Sequence, residues 1–136
     1  MLPNPSDQTR VEVLLRAADR DTATAETLVQ HAPHLYESVG FSCQQLVEKY
    51  AKAVLIANGL PAPFIHVLVK LLVPLVQASI IALDSVEMDS AAILQDFAVE
   101  LRYETDDAPS YTSTEILAMA HQFRTKLRPL AVAFLT

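Results

Sequence analysis

Glycine and cysteine are almost missing from this chain, and any excess of positive charge is missing altogether. Only 2 of the 136 residues are glycine, and no stretch alternates apolar and polar residues for long enough to make a half-buried strand, which excludes a β-rich fold. The one cysteine, Cys43, has no partner for an internal disulfide. Lysine and arginine number 10 against 16 acidic residues, a formal net charge of -6. That balance excludes a broad basic face for nucleic acid, because such binding depends on many cations neutralising phosphates, and it leaves room only for a small local basic site. The opening MLPNPSDQTR has no basic segment followed by an apolar run, so no secretory signal is read there and a cytoplasmic location is expected.

What is present is apolar and helical. Hydrophobic residues make up 51% of the chain, and a domain of this length buries about two-thirds of its unfolded surface. The expectation is one all-α domain over residues 1–136, with 1–5 as a loose lead-in. Short connections imply an antiparallel up-and-down helical bundle, read as four long helices plus a shorter one.

The stretch from Phe41 to Gly59 organises the rest. Val39, Cys43, Leu46, Val47, Tyr50, Val54 and Ala57 recur at the three-and-four spacing of one helix face, which should be core. Cys43 on that face reads as a buried thiol, since reactive thiols need an exposed, electropositive setting. Gln45, Glu48, Lys49 and Lys52 recur on another side, with Glu48 four residues before Lys52 in the favourable order for an ion pair. An exposed ion pair on wet surface and a ligand-facing stripe both fit them. Gly59 sits where a C-terminal cap is expected, and the last turns, AVLIA, are apolar all round. Such an end should be covered by other elements or by a second subunit.

Ahead of this helix, Thr9 and Glu12 fit a capping box, although Ser6 offers a start one turn earlier. Val11, Leu14, Leu15, Ala18, Ala25, Leu28 and Val29 give the first helix its apolar stripe, and Pro33 ends it. His31 and His34 flank that proline, which breaks the register of a two-histidine metal site, so surface or capping roles are the stronger reading. No metal or cofactor site is read from the chain.

Beyond Gly59, the window from Phe64 to Leu83 is long enough to cross a bilayer at about 20 residues. Lys70 near its middle costs about 2.5 to 3.5 kcal/mol on insertion scales. A buried third helix, stopped or bent at Pro74, is therefore expected, with His66 and Lys70 on one face as either a solvated strip or a ligand-facing pair. Gln77 to Met88 reads as a connection, and Asp89 or Ser90 as the cap of a fourth helix with Ala91, Leu94, Phe97, Ala98 and Leu101 inside, ending at LRYE. Thr112 and Glu115 make a capping box for the last helix, whose inner positions are Ile116, Met119, Ala120, Phe123, Leu127 and Leu130. Arg124, Lys126 and Arg128 lie towards its end, where cations suit the helix dipole, and Pro129 is expected to kink it.

Taken together, Phe41, Gln44, Gln45, Glu48, Lys49, Lys52, Ala53, Leu55, Gly59, His66, Leu68, Leu72, Arg102 and Tyr103 make an ordered pattern over almost the whole chain. In that order the chain resembles the HEPN family. The resemblance implies a helical bundle, commonly dimeric, that binds nucleotides or RNA, with some branches acting as ribonucleases or toxins and many paired with a small nucleotidyltransferase. The ligand-binding residues it points to are Gln45, Glu48, Lys49, Lys52, His66, Arg102 and Tyr103, with the lysines and Arg102 on phosphate and Tyr103 stacking on a base. The ribonuclease branches follow their arginine closely with a histidine; here Arg102 is followed by YETDDAPSY, and the next histidine is His121. RNA cleavage draws on a group titrating near neutral pH beside a cation. The expectation is thus a non-catalytic binding or accessory protein, a homodimer working with a nucleotidyltransferase-type subunit. The alternatives are a metal-independent ribonuclease or toxin using His66 or His121 beside Arg102, and a structural helical protein with no ligand.

Overall fold

A computed structural model describes residues 5–98 and 111–136. Among them are five helices and no strand: α1 (Pro5–His31), α2 (Tyr36–Ala57), α3 (Leu68–Gln77), α4 (Ser85–Gln95) and α5 (Ser113–Leu135). The all-α bundle expected from the periodicity is the fold observed. Three helices exceed twenty residues, whereas α3 and α4 have 10 and 11. No helix among the described residues is long and apolar enough to cross a membrane.

The bundle is built round α2, which packs against all four other helices. Thirteen of its 22 residues are buried. The later turns of α2 are surrounded, and that explains AVLIA: Ala53, Val54, Leu55 and Ile56 are all covered within the chain. The apolar end of α2 therefore gives no reason to invoke a second subunit. Cys43 lies in the same core, where burial pushes its thiol up to about 12. The helix closes with Gly59 at φ 70°, while the Leu60 and Gly59 amides donate to the Leu55 and Ile56 carbonyls at 2.9 and 3.0 Å. This is a Schellman closure at the glycine expected to supply it.

Several helix ends differ from expectation. α1 starts at Pro5, whose missing amide costs nothing in the first turn. Thr9 is consequently inside the helix, donating to the Pro5 carbonyl at 3.0 Å, and Glu12 pairs with Arg16 instead of capping. α3 starts at Leu68, two residues after His66, so His66 and Lys70 do not share a helix face. α3 also continues three residues past Pro74 and ends with Ser79 in the left-handed region at φ 59°. α4 starts earlier than expected: Asp84 and Glu87 form its capping box at 2.7 and 3.1 Å, displacing Asp89 and Ser90 from that role. Val86 inside this first turn is 66% exposed, so the apolar stripe used to find helices did not mark it. Ala91, Leu94 and Phe97 are buried as expected, with Phe97 just past the helix end. Leu101 and the LRYE ending lie outside the described residues. α5 opens on the Thr112–Glu115 box and runs through Pro129 to Leu135. Its cations are thus mid-helix, and the dipole does not explain them.

Tertiary clips hold these ends together. Ser113 Oγ donates to the Pro33 carbonyl at 2.6 Å, fastening the start of α5 to the α1–α2 turn between the exposed His31 and His34. Lys126 Nζ bonds the Ala82 carbonyl at 2.8 Å and Glu87 at 2.6 Å, tying α5 to the start of α4. Phe97 covers Gly40 of α2, and its ring meets Tyr36 edge-on at 5.2 Å.

Two stability predictions follow from these contacts. A Cβ at Gly40 would lie 2.1 Å from the Phe97 ring, so Gly40→Ala should cost about 1–3 kcal/mol in urea unfolding despite the better helix former. In a Phe97→Ala background the same change should be neutral or stabilising. Ser79→Gly should raise stability by about 0.5–1 kcal/mol, because glycine adopts the left-handed backbone without the side-chain clash.

Candidate functional site

Two polar clusters grow from α2, and they lie on different sides of it. The first centres on Glu48, only 4% exposed. A buried carboxylate must be matched by donors. His66 Nδ1 lies 3.1 Å from both carboxylate oxygens, Lys52 Nζ lies 3.3 Å from Oε2, and Gln44 Nε2 donates to Oε1 at 3.3 Å. Gln44, itself fully buried, also donates to the His66 carbonyl at 3.0 Å and accepts from Gln45 at 2.7 Å. Nearby, the Leu68 amide at the uncapped start of α3 donates to Gln95 of α4 at 2.8 Å. The connection from Asn58 to Val67 is thereby pinned so that His66 rests on Glu48.

The consequences for His66 are specific. Its side chain is 72% exposed while its carboxylate partner is buried. A carboxylate at Nδ1 favours the tautomer with hydrogen there and turns Nε2 away from the protein. Lys52, four residues along the helix from Glu48, is brought to the same carboxylate. The arrangement presents a histidine and a lysine side by side on one carboxylate, whose charge offsets that of the lysine.

Of the residues expected to bind ligand, the structure brings together Gln45, Glu48, Lys52 and His66. Lys49 is not with them: its Nζ reaches across to Asp21 of α1 at 2.6 Å. Arg102 and Tyr103 lie outside the described residues. The exposed Glu48–Lys52 pair considered from spacing is corrected, since Glu48 is buried and Lys52 is only 14% exposed. His121, on α5, is not part of the Glu48 cluster.

The second cluster was not foreseen. Tyr50, fully buried on the core face of α2, donates its hydroxyl proton to Asp19 of α1 and accepts from Arg124 Nε at 3.1 Å. Arg128 grips the same carboxylate with Nε and Nη2 at 3.0 and 3.1 Å, and Thr22 Oγ1 lies 3.2 Å from the phenol. Burial pushes the Asp19 carboxyl up, but the hydrogen bonds from Arg128 and then Tyr50 outweigh it and hold it below its ordinary 3.8. Burial, and then the bond to Asp19, raise the Tyr50 phenol above its ordinary 10.0. Every member has a partner inside the chain, so this cluster bolts α1, α2 and α5 together. Sequence patterning missed it because Asp19 and Arg128 are 109 positions apart and Tyr50 scored only as an apolar-stripe residue. Gln44, named in the ordered pattern but not among the expected ligand-binding residues, proves to be the buried link between Glu48 and the His66 carbonyl.

Among known proteins, a family model described as HEPN domain matches residues 11–129, most of the chain. No curated protein and no solved structure matches it.

The bolt makes stability fall at both ends of the pH scale. Asp19 is depressed on folding, so its contribution is complete above its ordinary 3.8 and is lost as pH falls below that. Tyr50 is raised on folding, so its contribution is complete below 10.0 and is lost as pH rises through its folded value. Tyr50→Phe should cost about 1–2 kcal/mol near neutrality. Urea midpoints measured across pH should show the alkaline loss reduced in Tyr50→Phe and the acid loss reduced in Arg128→Met.

Proposed function

The chain belongs to the HEPN domain family, whose membership suggests nucleotide- or RNA-related work, and on that premise we propose that it is a binding or accessory protein rather than a nuclease. It takes a nucleotide or RNA at the surface formed by Gln45, Glu48, Lys52 and His66. It acts as a homodimer and serves a small nucleotidyltransferase-type subunit. The observation that carries the reading is His66 and Lys52 held on the buried Glu48 carboxylate. A lysine ammonium has three donors and only part of that capacity is used by Glu48, so Lys52 can meet a phosphate without first being freed from the fold. The outward Nε2 of His66 is placed to accept from a ligand hydroxyl or amino group. The net charge of -6 agrees with one small anion site better than with a long track for a strand. Arg102 and Tyr103 remain part of the proposed ligand set on the strength of the sequence pattern.

Against cleavage stands the sequence itself, which places no histidine after Arg102 before His121. One observation favours the nuclease reading instead: the Glu48 carboxylate on His66 Nδ1 is how a histidine is oriented for proton transfer through Nε2. The two readings separate cleanly. Purified protein is titrated with ATP, GTP and a short oligoribonucleotide by calorimetry, and RNA integrity is followed in parallel. Binding without cleavage, weakened about tenfold or more in Lys52→Ala, is the expected outcome. Robust cleavage abolished by His66→Ala or Arg102→Ala would establish the nuclease. Absence of any heat or melting shift would leave a structural helical protein. Sedimentation at tens of micromolar should show a dimer, and a monomer there would remove that part of the proposal.

A further inference from the structure

The connection that delivers His66 to Glu48 also carries Phe64, two residues earlier. Its backbone there is constrained. Pro61 and Pro63 lock their own φ angles, and the Ile65 amide donates to the Pro63 carbonyl at 2.8 Å, closing a three-residue turn with Phe64 at its centre. The Phe64 side chain is fully exposed. With Val13, Ile56 and Pro63 it lines a groove of about 360 Å³ between the first half of α1 and this connection. Val13, on α1, is 59% exposed. Arg10 and Lys52 belong to the same lining. An exposed apolar side chain on its own is ordinary at a protein surface. Here two of them, on different elements, line one groove that also holds two cations.

We propose that this groove binds a planar ring carrying an anionic group, one mononucleotide in size, with the ring against Phe64 and Val13 and the phosphate on Lys52 and Arg10. The inference rests on the nucleotide-binding reading above and narrows it to a free mononucleotide in place of RNA. Three observations support the narrowing. The volume lies at the lower end of the range of about 300–1,000 Å³ common for small-molecule sites. The walls are mostly apolar and the cations are two, where a polynucleotide needs a row of them along its backbone. The cations differ in access: Arg10 holds Asp7 by a contact of 3.4 Å between groups 55% and 37% exposed, which is released at little cost, and Lys52, only 14% exposed, stays on Glu48 at 3.3 Å and has further donors to offer. Lys52 is also the link between the groove and the Glu48 cluster, so a phosphate placed on it would lie beside His66.

The test is a methyl-resolved NMR titration of the intact protein with the four nucleoside 5′-monophosphates, with ribose 5-phosphate and with a short oligoribonucleotide. At least one monophosphate should shift the Val13 and Ile56 methyls through its ring current and bind about tenfold more tightly than ribose 5-phosphate. Phe64→Ala, at a fully exposed position that leaves the fold intact, should abolish that advantage while leaving ribose 5-phosphate binding unchanged. Mononucleotide binding that leaves the Val13 and Ile56 methyls unmoved would overturn this inference and keep the broader reading. An oligoribonucleotide binding more tightly than every monophosphate would do the same. If no ligand moves any resonance, both fall.

Discussion

The packing of α2 against all four other helices is the constraint from which the other features of this bundle derive. Where a polar side chain of this central helix is buried, it must find partners inside the fold. Gln44 and Glu48 find them in the Asn58–Val67 connection, and Tyr50 finds them in α1 and α5. The two clusters are the same physical solution applied twice. Their outcomes differ because one ends in side chains already matched to each other, and the other ends in a histidine that is mostly in water.

That difference separates structure from function. Asp19, Tyr50, Arg124 and Arg128 close on themselves, with a bidentate guanidinium on a carboxylate that a tyrosine also holds. Such a network ties helices together across a core seam. Around Glu48 the buried charge is matched from above by His66 and from its own helix by Lys52. The same connection presents Phe64 to a groove that Lys52 also lines. One short, proline-stiffened segment thus sets the position of an imidazole, an aromatic ring and, through Glu48, an ammonium group.

The sequence was most legible where the physics is local. Thr112 and Glu115 announced the start of α5, Gly59 the end of α2, and the spacing of Val39, Cys43, Leu46, Val47 and Tyr50 the core face of α2. It was misleading where a local pattern had a competing use. Thr9 and Glu12 have the spacing of a capping box, yet a proline at the start of α1 carries the helix a turn further and turns the threonine back on its own carbonyl. Arg124, Lys126 and Arg128 looked like cations placed for a helix dipole; each instead holds a residue on another helix or connection.

By itself the sequence determined the all-α class, the centrality of the Phe41–Gly59 helix and membership of a family through motifs strung along one chain. These are properties of spacing, and spacing is written in the order of residues. Only the tertiary structure decided that Glu48 is buried, that Lys49 leaves the stripe for Asp21, that His66 precedes its helix and rests on Glu48, and that Tyr50 anchors a bolt reaching from Asp19 to Arg128. Those depend on which helix lies against which side of α2. Burial and pairing between residues tens of positions apart leave no periodic trace, so they become visible only when the helices are packed.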